Sequence, residues 1–262
     1  MDDKLNSIPK IIHYCWFGGN PLPKLALKCI ESWKKYLPDY EIKEWNENNY
    51  DVRKIPYIAQ AYDKKKFAFV SDYARFDILY QYGGIYFDTD VEVIKDLSPI
   101  IEKGAFAGVE SPGVLASGLG LGSPAGTFIF KEIIESYKNS SFLRNDNSLN
   151  LTTVVERVSN IYKKYGFTIN DEIQVVEGTT IYTSEYFCPL NPESGTLCIT
   201  DNTYTIHHYT ASWTIPFRKK YMTLRTKLAS VIGIKMAKII LIPLQCICVI
   251  KEVGFKSFLK KI

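Results

Sequence analysis

The most constraining stretch of the chain runs from Phe67 to Val93. Phe69, Tyr73, Phe76 and Tyr80 recur at helical spacing, so Phe67 to Tyr82 is predicted to be a helix with an apolar stripe. Gly83-Gly84 stops it, supplying the left-handed residue that helix ends favour. The chain then reads as an apolar strand, Ile85-Tyr86-Phe87, enters Asp88-Thr89-Asp90, and resumes as Val91-Glu92-Val93. A helix, a glycine stop and a buried strand ending in an acidic turn belong to an α/β layer, where ligands gather at the carboxyl ends of strands.

The flanking sequence agrees with that class. Lys10 to Trp16 reads as a buried strand stopped by Gly18-Gly19, followed by a helix opened by Pro23 and ended by Pro38, then a strand over Tyr40 to Trp45. Further strands are predicted at Ala105 to Val109, Ile173 to Val176, Ile181 to Phe187 and Tyr204 to Tyr209. Helices are predicted near Thr127 to Tyr137 and Thr152 to Tyr165, with a glycine-rich stretch over Gly113 to Gly122.

Charge divides the chain. Residues 218–262 carry 11 Lys or Arg against the single acid Glu252, a local charge of +10, which leaves the rest at −6 beneath an overall +4. With 46% hydrophobic and 23% charged residues among 262, the composition is that of a folded soluble protein and excludes disorder or a bundle of membrane helices. The division predicts one α/β domain over residues 1–217 and a basic, apolar-rich helical tail over 218–262. Leu228 to Ile250 is interrupted by Lys235, Lys238 and Pro243, too broken to span a bilayer but suited to lying on an anionic membrane face. A helix packed on the domain and a subunit contact fit the same pattern.

Six cysteines share no disulfide or metal spacing, and Met1-Asp2-Asp3-Lys4 opens no secretory signal. Buried free thiols in the cytoplasm, with the tail on the inner face of the cell membrane, are the expectation.

Two carboxylates one residue apart at a strand end, Asp88 and Asp90, can share a divalent cation with oxygen ligands suited to Mg²⁺ or Mn²⁺. Asp72 and Arg75, three apart on the preceding helix, form either a surface ion pair or part of the same pocket. A carboxylate and a guanidinium beside a metal suit sugar hydroxyls and a diphosphate.

Phe69-Val70-Ser71-Asp72-Tyr73-Ala74-Arg75 with Tyr82-Gly83-Gly84-Ile85-Tyr86-Phe87-Asp88-Thr89-Asp90 resembles the signature of the DXD sugar transferases, glycosyltransferase family 32. That family includes yeast-type mannosyltransferases and bacterial capsule enzymes, and is similar at these motifs to the catalytic domains of large clostridial glucosylating toxins. Ile11 to Gly19 resembles the family's first strand and turn, and His207-His208-Tyr209-Thr210-Ala211-Ser212-Trp213 its closing segment.

The resemblance implies a GT-A fold and a nucleotide-sugar-dependent hexosyltransferase using Mn²⁺ or Mg²⁺, with no nucleic acid partner. It places Trp16 against the nucleotide base, Asp72 and Arg75 on the ribose and sugar hydroxyls, and Tyr86 on the nucleotide. It implies Asp88 and Asp90 as the metal pair, His208 as a third ligand, and Ser212 and Trp213 on the diphosphate. UDP is the expected nucleotide, a saccharide, lipid-linked where the tail meets a membrane, the expected acceptor, and capsular or other surface polysaccharide the expected product. Around Ser117-Gly118-Leu119-Gly120 the chain lacks the polar amide that many relatives carry for the transferred sugar. Two other readings of the acidic motif are an Asp-nucleophile phosphatase and a non-catalytic sugar- or nucleotide-binding module.

Overall fold

A computed structural model describes residues 7–110, 114–170, 172–210 and 214–253. The first half comprises β1 (Ile11–Cys15), α1 (Lys24–Tyr36), β2 (Glu41–Trp45), α2 (Pro56–Asp63), α3 (Phe67–Tyr82), β3 (Gly84–Tyr86), β4 (Val91–Val93), α4 (Ser98–Ile101) and β5 (Phe106–Glu110). It continues through β6 (Val114–Leu115), β7 (Leu121–Ser123), α5 (Phe128–Lys138), α6 (Val154–Lys164), β8 (Gln174–Val176), β9 (Thr179–Tyr182), α7 (Ser184–Phe187) and β10 (Thr205–His207). The tail is α8 (Pro216–Ile232), α9 (Ile234–Ile240) and α10 (Ile242–Val253).

The main sheet has the order β2-β1-β3-β7-β5-β9-β8, with β6 paired to β5. β1 is parallel to β2 and β3, β7 is antiparallel to β3 and β5, and β9 is parallel to β5. β1, β2, β3, β5 and β9 therefore all point the same way, and their carboxyl ends form one edge. The mixed α/β class expected from the sequence is present, with the Asp88-Thr89-Asp90 turn at that edge and a helical tail following in the chain.

Both faces of the sheet are covered. One apolar cluster joins side chains of α2, α3, α5 and α6, including Tyr73, Phe76, Phe130 and Tyr162; another joins Trp33 of α1, Phe87, Phe106 and Phe187. α3 is buried nearly all round from Phe69 to Leu79, so its apolar stripe is only part of its buried surface. That explains why Asp72 and Arg75 lie inside rather than on a solvated face.

α3, β3 and β4 follow the sequence-based boundaries closely, whereas α2 has no counterpart in that reading. The strand expected over Ile181 to Phe187 divides into β9 and the single turn α7. The division lets Phe187 stack on Phe106, with ring centroids 5.8 Å apart, over the bare backbone of Gly108 and Gly120. Residue 217, the expected domain boundary, falls in the first turn of α8.

His13 is a core residue. Its Nε2 lies 2.9 Å from the Gly83 carbonyl oxygen and its Nδ1 accepts from Trp45 Nε1 at 3.0 Å, so the neutral Nε2–H form satisfies both partners. Burial holds its pKa down at about 4.

Candidate active site

The site is assembled where β3 ends. Asp88 follows β3 and donates its backbone N–H to Gly118 at 3.0 Å, while Val91 N–H closes the turn on the Asp88 carbonyl at 3.0 Å. α1 supports the turn from below: Trp33 Nε1 donates to the Val91 carbonyl at 2.8 Å, and Ser32 Oγ accepts from Val93 N–H at 2.9 Å.

Arg75 reaches this turn from α3. Its Nη2 donates to Asp72 Oδ1 at 3.0 Å and lies 3.2 Å from Asp88 Oδ1; Nη1 donates to Ser117 Oγ at 3.3 Å. The guanidinium sits 4.8 Å over the Tyr86 ring, and the Tyr86 hydroxyl donates to Asp88 Oδ1 at 3.1 Å. One buried cation thus fixes two carboxylates, Asp72 largely enclosed and Asp88 open to solvent on one side. Burial raises Asp72 to about 7, opposed by the attraction of Arg75.

β10 brings the other wall. It pairs antiparallel with β4, placing His207 opposite Val91. His207 Nε2 lies 3.2 Å from Asp90 Oδ1, and Asp90 Oδ2 accepts from Thr210 N–H at 2.9 Å and Thr210 Oγ1 at 2.8 Å. Burial opposes charge on both partners but is outweighed. Asp90 pulls His207 up to about 10, and His207 with Thr210 holds Asp90 well below the usual carboxylate range. Ligand atoms of Asp88, Asp90 and His207 all lie within 4.8 Å of one another. Two carboxylates and an imidazole converging in this way fit a hard or borderline divalent cation, which would take the place of the His207 Nε2 proton.

The structure brings His207, not His208, to the carboxylate pair. His208 Nε2 lies 2.8 Å from Glu92 Oε2 on the other side, where Lys28 also meets Glu92 at 2.9 Å. Adjacent strand residues alternate, as expected, but the phase is set by pairing with β4 rather than by spacing to Trp213. Tyr86, expected on the nucleotide, is 1% exposed and reaches the site through its hydroxyl on Asp88. Trp16 stands half-buried just past the carboxyl end of β1, the strand beside β3, with Nε1 donating to the Asn20 carbonyl. Ser212 and Trp213 lie outside the described residues.

Sequence reasoning did not find Gly118, Ser117 or Thr210 as site residues. Gly118 sat in the glycine-rich stretch, and Thr210 in the closing segment, but only the fold shows what each touches.

Residues 23–107 match a family model described as a glycosyltransferase sugar-binding region containing a DXD motif. The match covers less than half of the chain, and it is with this region that the resemblance to the DXD glycosyltransferases lies. The matched region contains the helix α3, Asp72, Arg75 and the Asp88-Thr89-Asp90 turn. The chain is similar to inositol phosphoceramide mannosyltransferase 3 of Schizosaccharomyces pombe, at 33% identity over 40% of this chain and 31% of that protein. Inositol phosphoceramide mannosyltransferase 1 of the same yeast is 28% identical over 39% of this chain and 34% of its own length. These alignments span about a third of the curated relatives. Among solved structures, PaToxG glycosyltransferase aligns with a TM-score of 0.47 at 16% identity, covering 60% of this chain and 68% of that one.

Proposed function

We propose that this DXD glycosyltransferase moves a hexose from a nucleotide diphosphate donor to a saccharide hydroxyl, in the synthesis of a surface polysaccharide such as a capsule. The observation that carries the reading is the convergence of Asp72, Arg75, Asp88, Asp90 and His207 at the carboxyl end of β3. Asp88, Asp90 and His207 would hold the cation, Mn²⁺ or Mg²⁺. When bound, it supplies positive charge against the diphosphate that leaves as the anomeric C–O bond breaks.

The chain's own groups do the positioning. Arg75, with its side chain 4% exposed, fixes Asp72 and Asp88 rather than reaching far into solvent. Asp72, at 13%, is the open side of that pair and accepts from donor hydroxyls. Trp16 offers an aromatic face at the neighbouring strand end, and uracil, the base of a UDP-sugar, is the base we assign to it. The names of the yeast relatives bring mannose into the test panel. Family analogy gives retention of anomeric configuration.

The tail supplies the location. Of the sixteen exposed large hydrophobic side chains among the described residues, eight lie between Leu224 and Ile247, including Val231 at 80% and Ile239 at 59%. Lys227, Lys235 and Lys238 share that stretch, a mixture suited to an anionic bilayer surface. No helix among the described residues is long and apolar enough to cross a membrane. We assign the tail to the inner membrane face, where a lipid-linked saccharide would be met.

The deciding experiment is hydrolysis of UDP- and GDP-linked hexoses with and without Mn²⁺. Metal-dependent release of nucleotide from at least one is expected. A binding module would bind the nucleotide sugar and leave it intact.

A further inference from the structure

One ring nitrogen of His207 is paired and the other is not. Nε2 faces Asp90 Oδ1 at 3.2 Å, whereas Nδ1 is buried and has no hydrogen-bond partner. Buried polar atoms are seldom left in this state. Nδ1 must also carry a proton when a cation occupies Nε2, because a ligating imidazole is neutral and its other nitrogen holds the N–H. An acceptor is therefore wanted on the Nδ1 side of the ring.

The fold brings a thiol to this ring. Thr205 and His207 share one face of β10, and Thr205 Oγ1 donates to the Phe187 carbonyl at 2.9 Å. That bond holds the end of α7 against the strand, so Cys188, the next residue, lies beside the imidazole. Tyr209 packs its ring on His207 with centroids 4.2 Å apart. Its backbone is strained, with φ of 50° in the left-handed region that a bulky side chain seldom occupies. Strain held in place by surrounding contacts is a way to aim a side chain at a functional site. Here the aimed group is the hydroxyl, 2.8 Å from Cys188 Sγ and 3.2 Å from Glu110 Oε2.

The donors fall into one order. An ionised carboxylate only accepts, so the Tyr209 O–H goes to Glu110 and its oxygen is left to accept the Cys188 S–H. The sulfur then has lone pairs free for an N–H of His207. Donation runs one way, from imidazole through thiol and phenol to a carboxylate at the end of β5. Metal-bound histidines are commonly aimed by a carboxylate or carbonyl on the second nitrogen. In this chain a thiol and a phenol stand between the ring and the carboxylate.

We propose that Cys188 and Tyr209 are positioning residues for His207: Cys188 Sγ accepts the Nδ1–H, and Tyr209, anchored on Glu110, holds the thiol so that Nε2 stays turned towards Asp88 and Asp90. The cation belongs to the functional reading above, on which this role rests, whereas the hold on Nδ1 is measurable without it.

Two measurements on the full chain test this, with melting curves to establish that each variant is folded. Electron paramagnetic resonance titration with Mn²⁺ reads the cation site. Tyr209→Phe keeps the ring against His207 and removes the hydroxyl, and Cys188→Ala removes the acceptor; each should weaken Mn²⁺ binding at least about tenfold. Cys188→Ser, which accepts and donates as the thiol does, should stay within about threefold of the unaltered protein. Cys198→Ala, at an exposed thiol, should change nothing. Nitrogen-15 NMR of the metal-free chain, labelled at histidine, reads the ring itself. Opposite Asp90 the His207 imidazolium also carries Nδ1–H, and this proton should exchange slowly with solvent in the unaltered protein and rapidly in Cys188→Ala. Full Mn²⁺ affinity in both Tyr209→Phe and Cys188→Ala overturns the proposal, as does a serine variant no better than alanine or an Nδ1 proton indifferent to Cys188. Absence of Mn²⁺ binding by the unaltered protein, with a slow Nδ1 proton that depends on Cys188, instead sinks the cation site and upholds the hold on His207.

Discussion

Gly118 and Asp88 are fitted to each other: a β-carbon at Gly118 would stand 1.9 Å from Asp88 Oδ2 and 3.2 Å from Arg75 Nη1. The same glycine accepts the Asp88 N–H through its carbonyl. Bare backbone is thus one wall of the carboxylate. Gly118→Ala is expected to turn the Asp88 carboxylate away from Asp90 and lower turnover about a hundredfold, the scale of a misplacement near 1 Å. Steady-state kinetics alongside a melting curve would check this. Unchanged turnover would remove Asp88 from the reacting centre.

The two adjacent histidines should separate cleanly. His207→Ala is expected to weaken Mn²⁺ binding more than about tenfold, measured by electron paramagnetic resonance titration. His208→Ala, whose ring faces Glu92, should leave the affinity unchanged. Asp90→Asn should abolish metal-dependent turnover with the fold intact. The reverse order for the histidines would restore the ligand set read from the sequence.

Asp72 and Arg75 should behave differently although they form one ion pair. Arg75→Ala leaves two carboxylates around an empty place, costing on the order of 3 kcal/mol of stability as well as activity. Asp72→Ala removes a buried acid that pays for its desolvation, so stability should hold while kcat/KM falls at least about tenfold, roughly 1.4 kcal/mol. Denaturant melts and kinetics on both variants would show the contrast. Near-normal kinetics for Asp72→Ala would make the pair purely structural.

His13, whose ring meets Gly83 and Trp45 rather than a carboxylate, gives the fold an acid-sensitive point. Its folded pKa of about 4 lies below the ordinary 6.5, so the unfolded chain takes up the proton first as pH falls. Its contribution is complete above pH 6.5 and is lost as pH drops towards 4, about 3 kcal/mol in all. Unfolding free energies from pH 7 to 4 should show the unaltered protein losing this much more than His13→Gln. Parallel curves would show that His13 does not carry the loss.

The tail predicts co-sedimentation with anionic vesicles at low salt and release at high salt, because exposed lysines attract lipid headgroups through a screened field. A chain truncated after Phe217 should stay in the supernatant. Equal sedimentation of the truncated chain, or none by the full chain, would instead leave the apolar face to protein contacts.

Much of the frame was legible before folding. α3 runs from Phe67 to Tyr82 as its stripe predicts, because helical spacing and a double-glycine stop are local properties. β3, the acidic turn and β4 follow from apolar runs around Asp88 and Asp90, and the motif of α3 with this turn carried the family. Three matters were settled by tertiary contacts. His207 rather than His208 faces Asp90 because β10 takes its phase from β4, more than a hundred residues earlier in the chain. Gly118 acts through empty space against Asp88, and space leaves no signal in a sequence. Arg75 is enclosed because α3 is packed on several sides at once. Local periodicity fixes which elements form, while strand register and burial arise only when distant elements meet, and those decide which side chains share a pocket.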